Sequence, residues 1–299
     1  MDAVTGHSSP NPVKSRISNS MGKARILMEA LPYIKAFRGR TVVVKLGGTT
    51  MDDPELQASF AGDVTLLATV GIRPVVVHGG GPQISAEMRR SGIEPRFEDG
   101  QRVTGPEAMA VVQRVLAGDI NPRIVSLLNG HGCPAVGLTG LDGGMLSARA
   151  LGGELGLVGE TEQVDTTLLD DLLEAGMVPV IAPLATGPEG KVYNLNADVA
   201  AASLAIALSA QKLIYLTDVE GVRRVRADAG SLISRMSASE LENLLGTDEI
   251  AGGMRPKLES SRNALLGGVA QAHILDGRMQ HALLLEIFTP EGIGTMVTQ

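Results

Sequence analysis

Aromatic side chains are scarce in this chain: 2% of 299 residues, as four Phe, three Tyr and no Trp. Stacking platforms for single-stranded nucleic acid are therefore nearly absent. Positive charge is not in excess either. The formal net charge is −7, so no global basic field draws in a nucleic acid. Cysteine occurs once, at Cys133, which excludes an internal disulfide and a cysteine-rich metal site and fits a reducing compartment. His7, His78, His131, His273 and His281 show no metal-ligand spacing. The longest apolar helix candidate, Val199 to Ala210, is too short to span a bilayer. Residues 1–20 are rich in Ser, Pro and Asn and lack an apolar run, so they read as a disordered tail and not as a secretory signal. A transit peptide has thin support, with Lys14 and Arg16 as its cations. A soluble, cytoplasmic protein with no nucleic-acid or membrane partner is the expectation. Neither GxxxxGK[ST] nor a GxGxxG after a strand is present, which removes the commonest nucleotide signatures.

What the chain does contain is apolar and rich in glycine. Hydrophobic residues make up 44%, enough to fill two lobes. Two very apolar runs end in glycine turns, TVVVKLGG (Thr41 to Gly48) and PVVVHGGGP (Pro74 to Pro82). A buried parallel strand that ends in consecutive glycines exposes bare N–H groups to a phosphate. Two such turns about one βα unit apart suggest a grip on a polyanion from two sides. Between and beyond them strands alternate with helices. Strands are expected at Thr41–Leu46, Pro74–His78, Ala135–Leu138, Val178–Ala182, Lys212–Leu216, near Ala272–Asp276 and at Thr295–Val297. Helices are expected from Asp53-Pro54-Glu55 and Pro82, through Glu107–Leu116, near Ile124–Asn129, and over Thr166–Ala175, Ala197–Ala210, Ser237–Leu245 and Pro256–Leu266. This alternation predicts an α/β protein with a doubly wound, mostly parallel sheet. A further helix, Lys23–Phe37, precedes the first strand and carries Pro32, which should kink it. The expected divisions are a tail (1–20), the kinked helix (21–38), and lobes over 39–206 and 207–299.

A few positions are odd for structural reasons. Lys45 interrupts an apolar strand directly before Gly47-Gly48, either snorkelling off the strand end or serving an anion site. Lys257 follows Pro256, taken as the first helical position, where the macrodipole disfavours a cation unless an anion shares the site. Asn196 can cap the helix after YNLNADVAA, and Asp198 is a favourable first-turn acid or an organiser for two lysines. Arg102 is either a surface arginine or a bidentate clamp for a carboxylate. Two lysines, two glycine turns and an acid, without a Ser–His or Cys–His pair, fit phosphoryl transfer better than acyl transfer. The usual metal of such chemistry is Mg2+ held mainly through nucleotide phosphates, with no dedicated protein metal site expected.

The ordered strings VVVKLGG, VVVHGGGPQIS, QRVTGPE, IVSLLNGHG, NLNADVAAASLA, LTDVEGV, GGMRPKLES and LLEIFTPEGIGTMV resemble the N-acetyl-L-glutamate kinase family, of the amino-acid kinase fold, from about Met21 to Val297. The resemblance implies transfer of the γ-phosphoryl of MgATP to the side-chain carboxylate of N-acetyl-L-glutamate, a step of arginine biosynthesis that needs no general base. It implies that Lys45 and Lys257 stabilise the migrating group, that Asp198 orients them, and that Gly48 and Gly80 donate N–H groups. Gly79, Gly80, Gly81, Arg102 and Asn194 would hold the acceptor, with Arg102 on its α-carboxylate. The nucleotide would lie along Lys45, Gly47, Gly48, Thr217, Asp218, Gly252, Gly253, Met254 and Lys257. Members inhibited by arginine share the kinked N-terminal helix, which interlaces dimers into a hexamer (a trimer of dimers). They also share the pattern seen here as His273, Glu286 and Gly292. Arginine is accordingly expected as an inhibitor at those residues, with Tyr33 contributing from the helix. The chain departs from the family at KLGGTTM, where KYGGNAM is usual (Leu46, Thr49, Thr50), and at GLDG, where GKDG is usual (Leu141). These departures leave open a sister kinase for another acylated amino acid. A non-catalytic arginine-sensing paralogue would be expected to lose a lysine or Asp198, and all three are present.

Overall fold

The computed structural model describes residues 12–47, 50, 52–98, 100–225, 228–247, 249–250, 252–290 and 292–299. Helix α1 (Pro12–Phe37) leads into β1 (Thr41–Leu46), α2 (Pro54–Thr69), β2 (Arg73–His78) and α3 (Gly81–Arg90). A short hairpin, β3 (Phe97–Glu98) and β4 (Gln101–Arg102), precedes α4 (Pro106–Gln113), a π-helical stretch (Arg114–Ile120) and α5 (Asn121–Gly130). Then come β5 (Ala135–Thr139), β6 (Leu146–Ala150), β7 (Val158–Val164), α6 (Thr167–Glu174), β8 (Val178–Ala182), β9 (Leu184–Thr186), β10 (Val192–Leu195) and α7 (Ala197–Ala207). The chain continues through β11 (Lys212–Thr217), β12 (Arg235–Ser237), α8 (Ala238–Leu245), α9 (Met254–Leu266), β13 (Gln271–Asp276), α10 (Ala282–Phe288) and β14 (Thr295–Thr298).

Local chemistry explains several boundaries. The Asp53 carboxylate accepts from the N–H groups of Glu55 and Leu56 at 2.8 and 3.2 Å, and Pro54 opens α2 at no cost in hydrogen bonds. Asn196 caps α7 in the same way, accepting from Asp198 N–H at 2.8 Å. Ser237 and Glu240 form a reciprocal capping box on α8.

The main sheet has eight strands in the order β12-β14-β13-β11-β1-β2-β8-β5, and only the β13–β14 pair is antiparallel. It is continuous across the boundary expected near residue 206, because β11 pairs directly with β1. Strand alternation divides the interior between two faces. Val42, Val44 and Leu46 join a core with α2, α4, α5 and α10, whereas Val43, Leu213 and Tyr215 join a second core with α6, α7, α8 and α9. This is the doubly wound arrangement.

Some features differ from the sequence expectation. The helix before β1 starts at Pro12, so residues 12–20 belong to it and not to a tail. Pro32 lies inside it and supplies no N–H to the helical ladder. The expected helix through Leu116 runs on as the π stretch into α5; Pro122 cannot donate to the carbonyl four residues back, which favours a wider turn there. Helix α9 starts at Met254, so Lys257 stands one turn inside and not in the first positions. The small closed barrel of β10, β7, β6 and β9 and the helix α10 were not anticipated.

Candidate active site

Strands β1 and β11 are adjacent and parallel, but β1 connects onward to β2 on one side and β11 to the β12–β14 side. Their carboxyl ends therefore flank a topological switch point, where an open α/β sheet leaves a crevice. Lys45, near the end of β1, alternates toward the α7 face, and Asp198 sits in the first turn of α7. Lys45 Nζ lies 2.9 Å from Asp198 Oδ1, off the direction of a hydrogen bond. Lys257 Nζ donates to Asp198 Oδ2 at 2.9 Å and to Gly253 O at 3.3 Å. One buried carboxylate thus holds two ammonium groups. Burial by itself would raise the Asp198 pKa, but Lys45 and Lys257 outweigh it and hold the carboxyl below its ordinary value. The carboxylate keeps its negative charge, and the cluster carries a net charge of about +1.

Two cavities meet at this cluster. One, of about 290 Å3, is lined by Lys45, Gly47, Gly79, Gly80, Gly81, Arg102, Asn194 and Asp198. The other, of about 610 Å3, is lined by Thr217, Asp218, Gly252, Gly253, Met254 and Lys257. The smaller cavity lies over the start of α3, whose first-turn N–H groups have no partner within the helix. A Cβ at Gly47 would stand 2.5 Å from Lys45 Nζ, so a bare backbone there is what lets the ammonium lie along the turn.

The structure brings every described residue expected at the catalytic, acceptor and nucleotide sites to one of these cavities; Gly48 and Thr49 lie outside the described residues. Arg102 is buried in the wall of the smaller cavity. Its Nη2 donates to Gly81 O and Ser85 Oγ at 2.8 Å each, and the guanidinium stacks 4.8 Å from the Phe97 ring centroid. Burial, then repulsion from Arg89, lowers its pKa from the ordinary arginine value. Asn194 reaches the same cavity from β10, with Nδ2 3.4 Å from Thr104 Oγ1. Sequence reading missed Phe97, Leu116 and Val158 in the smaller cavity, and Val219, Ile250 and Arg278 in the larger. Val219 lies within the quoted string LTDVEGV without having been singled out, and the other five lie outside the quoted strings; the β3–β4 hairpin and the barrel deliver Phe97 and Val158, and neither element was foreseen. Among the described residues no group of three or more His, Cys, Asp or Glu side chains could hold a metal ion. No described helix is long and apolar enough to cross a membrane.

His273 and Glu286 come together away from this crevice. His273 Nδ1 lies 2.6 Å from Glu286 Oε1, and Ile293 N–H donates to Glu286 Oε2 at 2.8 Å. Gly292 is left-handed (φ 63°) and packs on the same carboxylate. Lys212 Nζ, 3.1 Å from His273 Nε2, closes the cluster and lies 5.1 Å from the ring centroid of Phe37 on α1. Burial pushes the Lys212 pKa down to about 8. Burial would raise Glu286, but the hydrogen bond and charge of His273 overcome it and hold its pKa below the ordinary glutamate value. Tyr33 is half-buried on α1.

A shared carboxylate between two lysines at the junction of two cavities, on a doubly wound sheet, defines a class of phosphotransferase. The chain belongs to the amino acid kinase family, whose model matches residues 40–276. It is 53% identical over 286 residues to an acetylglutamate kinase of Acidothermus cellulolyticus, covering 92% of this chain and 96% of the relative. Among solved structures it is similar to N-acetylglutamate synthase of Neisseria gonorrhoeae complexed with coenzyme A and N-acetyl-glutamate, with a TM-score of 0.83, 33% identity and 92% of this chain covered. The same synthase complexed with coenzyme A and L-arginine gives a TM-score of 0.79 at 31% identity, again over 92% of this chain. The chain spans 63% and 65% of those two synthase chains.

Proposed function

We propose that this kinase transfers the γ-phosphoryl group of MgATP to the side-chain carboxylate of N-acetyl-L-glutamate, the substrate that the names of its curated relatives give. The observation that carries the reading is the Lys45–Asp198–Lys257 cluster standing between a cavity suited to a small acid and a larger one suited to a nucleotide. The acceptor sits over Gly79–Gly81, with Arg102 and Asn194 on its polar groups. The nucleotide lies along Thr217, Asp218 and the Gly252–Met254 turn, its phosphates near Gly47. An acceptor oxygen forms a bond to Pγ as the bond from Pγ to the bridging oxygen breaks, and ADP leaves. The acceptor is already anionic, so no proton has to move. Lys45 and Lys257 neutralise charge on the migrating group from two sides while Asp198 keeps them in place. Mg2+ would ride on the nucleotide phosphates and supply further charge neutralisation.

Two of the four departures from the family pattern, Leu46 and Thr50, do not favour another acceptor. Leu46 and Thr50 face a small cavity with Phe60, Ile124 and Leu127, apart from the acceptor cavity. Feedback by L-arginine, with Glu286 on the guanidinium and His273, Gly292 and Tyr33 around it, is the regulatory part of the proposal. The ionised Glu286 beside α1 and the arginine-bound state of the synthase support it. ADP release is the test, with N-acetyl-L-glutamate, L-glutamate, L-aspartate and N-acetyl-L-aspartate as acceptors. Turnover confined to N-acetyl-L-glutamate is expected. Silence on the whole panel with ATP still bound would overturn the catalytic reading, and activity indifferent to saturating arginine would remove the regulatory one.

A further inference from the structure

His78, the last residue of β2, is completely buried directly beneath the second glycine turn. Its surroundings determine which ring nitrogen carries the proton. The Asn121 amide nitrogen lies 2.9 Å from Val180 O and 3.2 Å from Leu138 O, so these two carbonyls fix it as the donor end of the amide. The same nitrogen lies 3.1 Å from His78 Nε2 and cannot accept from it, so Nε2 is the unprotonated, accepting nitrogen of the ring. A neutral ring that accepts at Nε2 carries its proton on Nδ1, and Nδ1 donates to Gly79 O at 3.0 Å. The opposite tautomer, or a protonated ring, would set N–H against N–H.

That bond has a consequence one atom further along. Gly79 C=O and Gly80 N–H belong to one planar trans peptide and point in opposite directions. A donor beneath the carbonyl therefore turns the Gly80 N–H away from the core, toward the acceptor cavity that Gly80 lines. The preceding peptide is also fixed, because Gly79 N–H donates to Leu46 O at 3.0 Å. The π stretch completes the support. A Cβ at Gly80 would stand 2.5 Å from Ile120 Cδ1 and 2.8 Å from Leu116 Cδ2, both π-stretch residues, and Asn121 follows immediately.

We propose that His78 and Asn121 are positioning residues for phosphoryl transfer: the neutral, Nδ1-protonated imidazole, held by the Asn121 amide, aims the Gly80 N–H at the migrating group. The inference rests on the proposed role of the Gly79–Gly81 turn in phosphoryl transfer. Burial, opposed only by the Gly79 bond, pushes the His78 pKa down to about 4, consistent with a ring that stays neutral through the working range.

Two variants and one spectrum test it. His78→Leu removes both hydrogen bonds, whereas His78→Asn keeps a donor near the position of Nδ1. We expect kcat to fall at least tenfold in H78L, with the Kd for ATP within twofold of wild type, and most of the loss to be recovered in H78N. Unchanged kcat in H78L would overturn the proposal. So would equal losses in both variants accompanied by weakened ATP binding, which mark a merely structural residue. Independently of turnover, 15N-histidine spectra should show one of the five imidazoles, the one absent in H78N, neutral and protonated on Nδ1 at pH 6. Protonation on Nε2, or an imidazolium, would overturn it. A wild-type protein without turnover on any acceptor would remove the phosphoryl-transfer reading and this proposal with it, whereas an active wild type with unchanged kcat in H78L would overturn this proposal alone.

Discussion

A carboxylate shared by two lysines behaves differently from two separate ion pairs. Replacing Asp198 by Asn leaves Lys45 and Lys257 facing each other in a buried place with no counter-charge. We expect kcat to fall by about a hundredfold or more in D198N, and similarly in K45A and K257A, by steady-state ADP release. The single losses should not multiply in the double lysine variant, since the three groups act as a unit. His78 makes a prediction about stability. Its folded pKa, about 4, lies below the ordinary 6.5, so the unfolded chain takes up the proton first. The stabilisation is complete above pH 6.5 and is lost as pH falls toward 4. Between pH 7 and pH 5 the wild type should lose about 2 kcal/mol that His78→Asn does not lose, measured by urea unfolding at both values.

At the scale of elements, the legible parts were those whose chemistry is local. β1 and β2 announce themselves as apolar runs closed by glycines, and α2 and α7 through Asp53 and Asn196. The barrel strands β6, β7, β9 and β10 were invisible because their pattern is mixed: LSARA and VGETEQV alternate weakly, and the barrel closes through pairing with β9 and β10 farther along the chain. The π stretch was unreadable for a related reason. The expected helix stops at Leu116 within RVLAGDI, and the wider turn matters through what Leu116 and Ile120 touch, Gly80. The paired lysines and Asp198 as their organiser could be suspected from Lys45 in a strand, Lys257 near a helix start and an acid in the first turn of α7, but that one carboxylate reaches both ammonium groups needs the packing of α7 on α9. Gly80→Ala tests the element-level fit. The turn has an extended φ of −179°, so strain is not the issue; the new methyl would collide with Ile120 and Leu116. We expect a loss of about 1–3 kcal/mol by thermal unfolding, together with reduced turnover.

On the scale of the whole molecule, α1 stands out. Met21, Ile26, Leu27 and Met28 are 65–69% exposed on a helix of 26 residues. Large apolar side chains are costly to leave in water, which fits the expectation, implied by the family resemblance, that this helix joins dimers into a hexamer. Deleting residues 1–37 should reduce the assembly to smaller species by light scattering and blunt inhibition by arginine, while turnover persists. The most consequential feature of the molecule is nevertheless a small one: the walls of the two cavities are tied to each other through a single carboxylate. Lys257 borders one and Lys45 the other, and both answer to the same carboxylate. A triphosphate drawing on Lys257 leaves Asp198 more fully available to Lys45, and an acid drawing on Lys45 does the converse. The two ligands are therefore linked, and linkage is reciprocal: whatever factor ATP imposes on the affinity for the acceptor, the acceptor must impose on ATP.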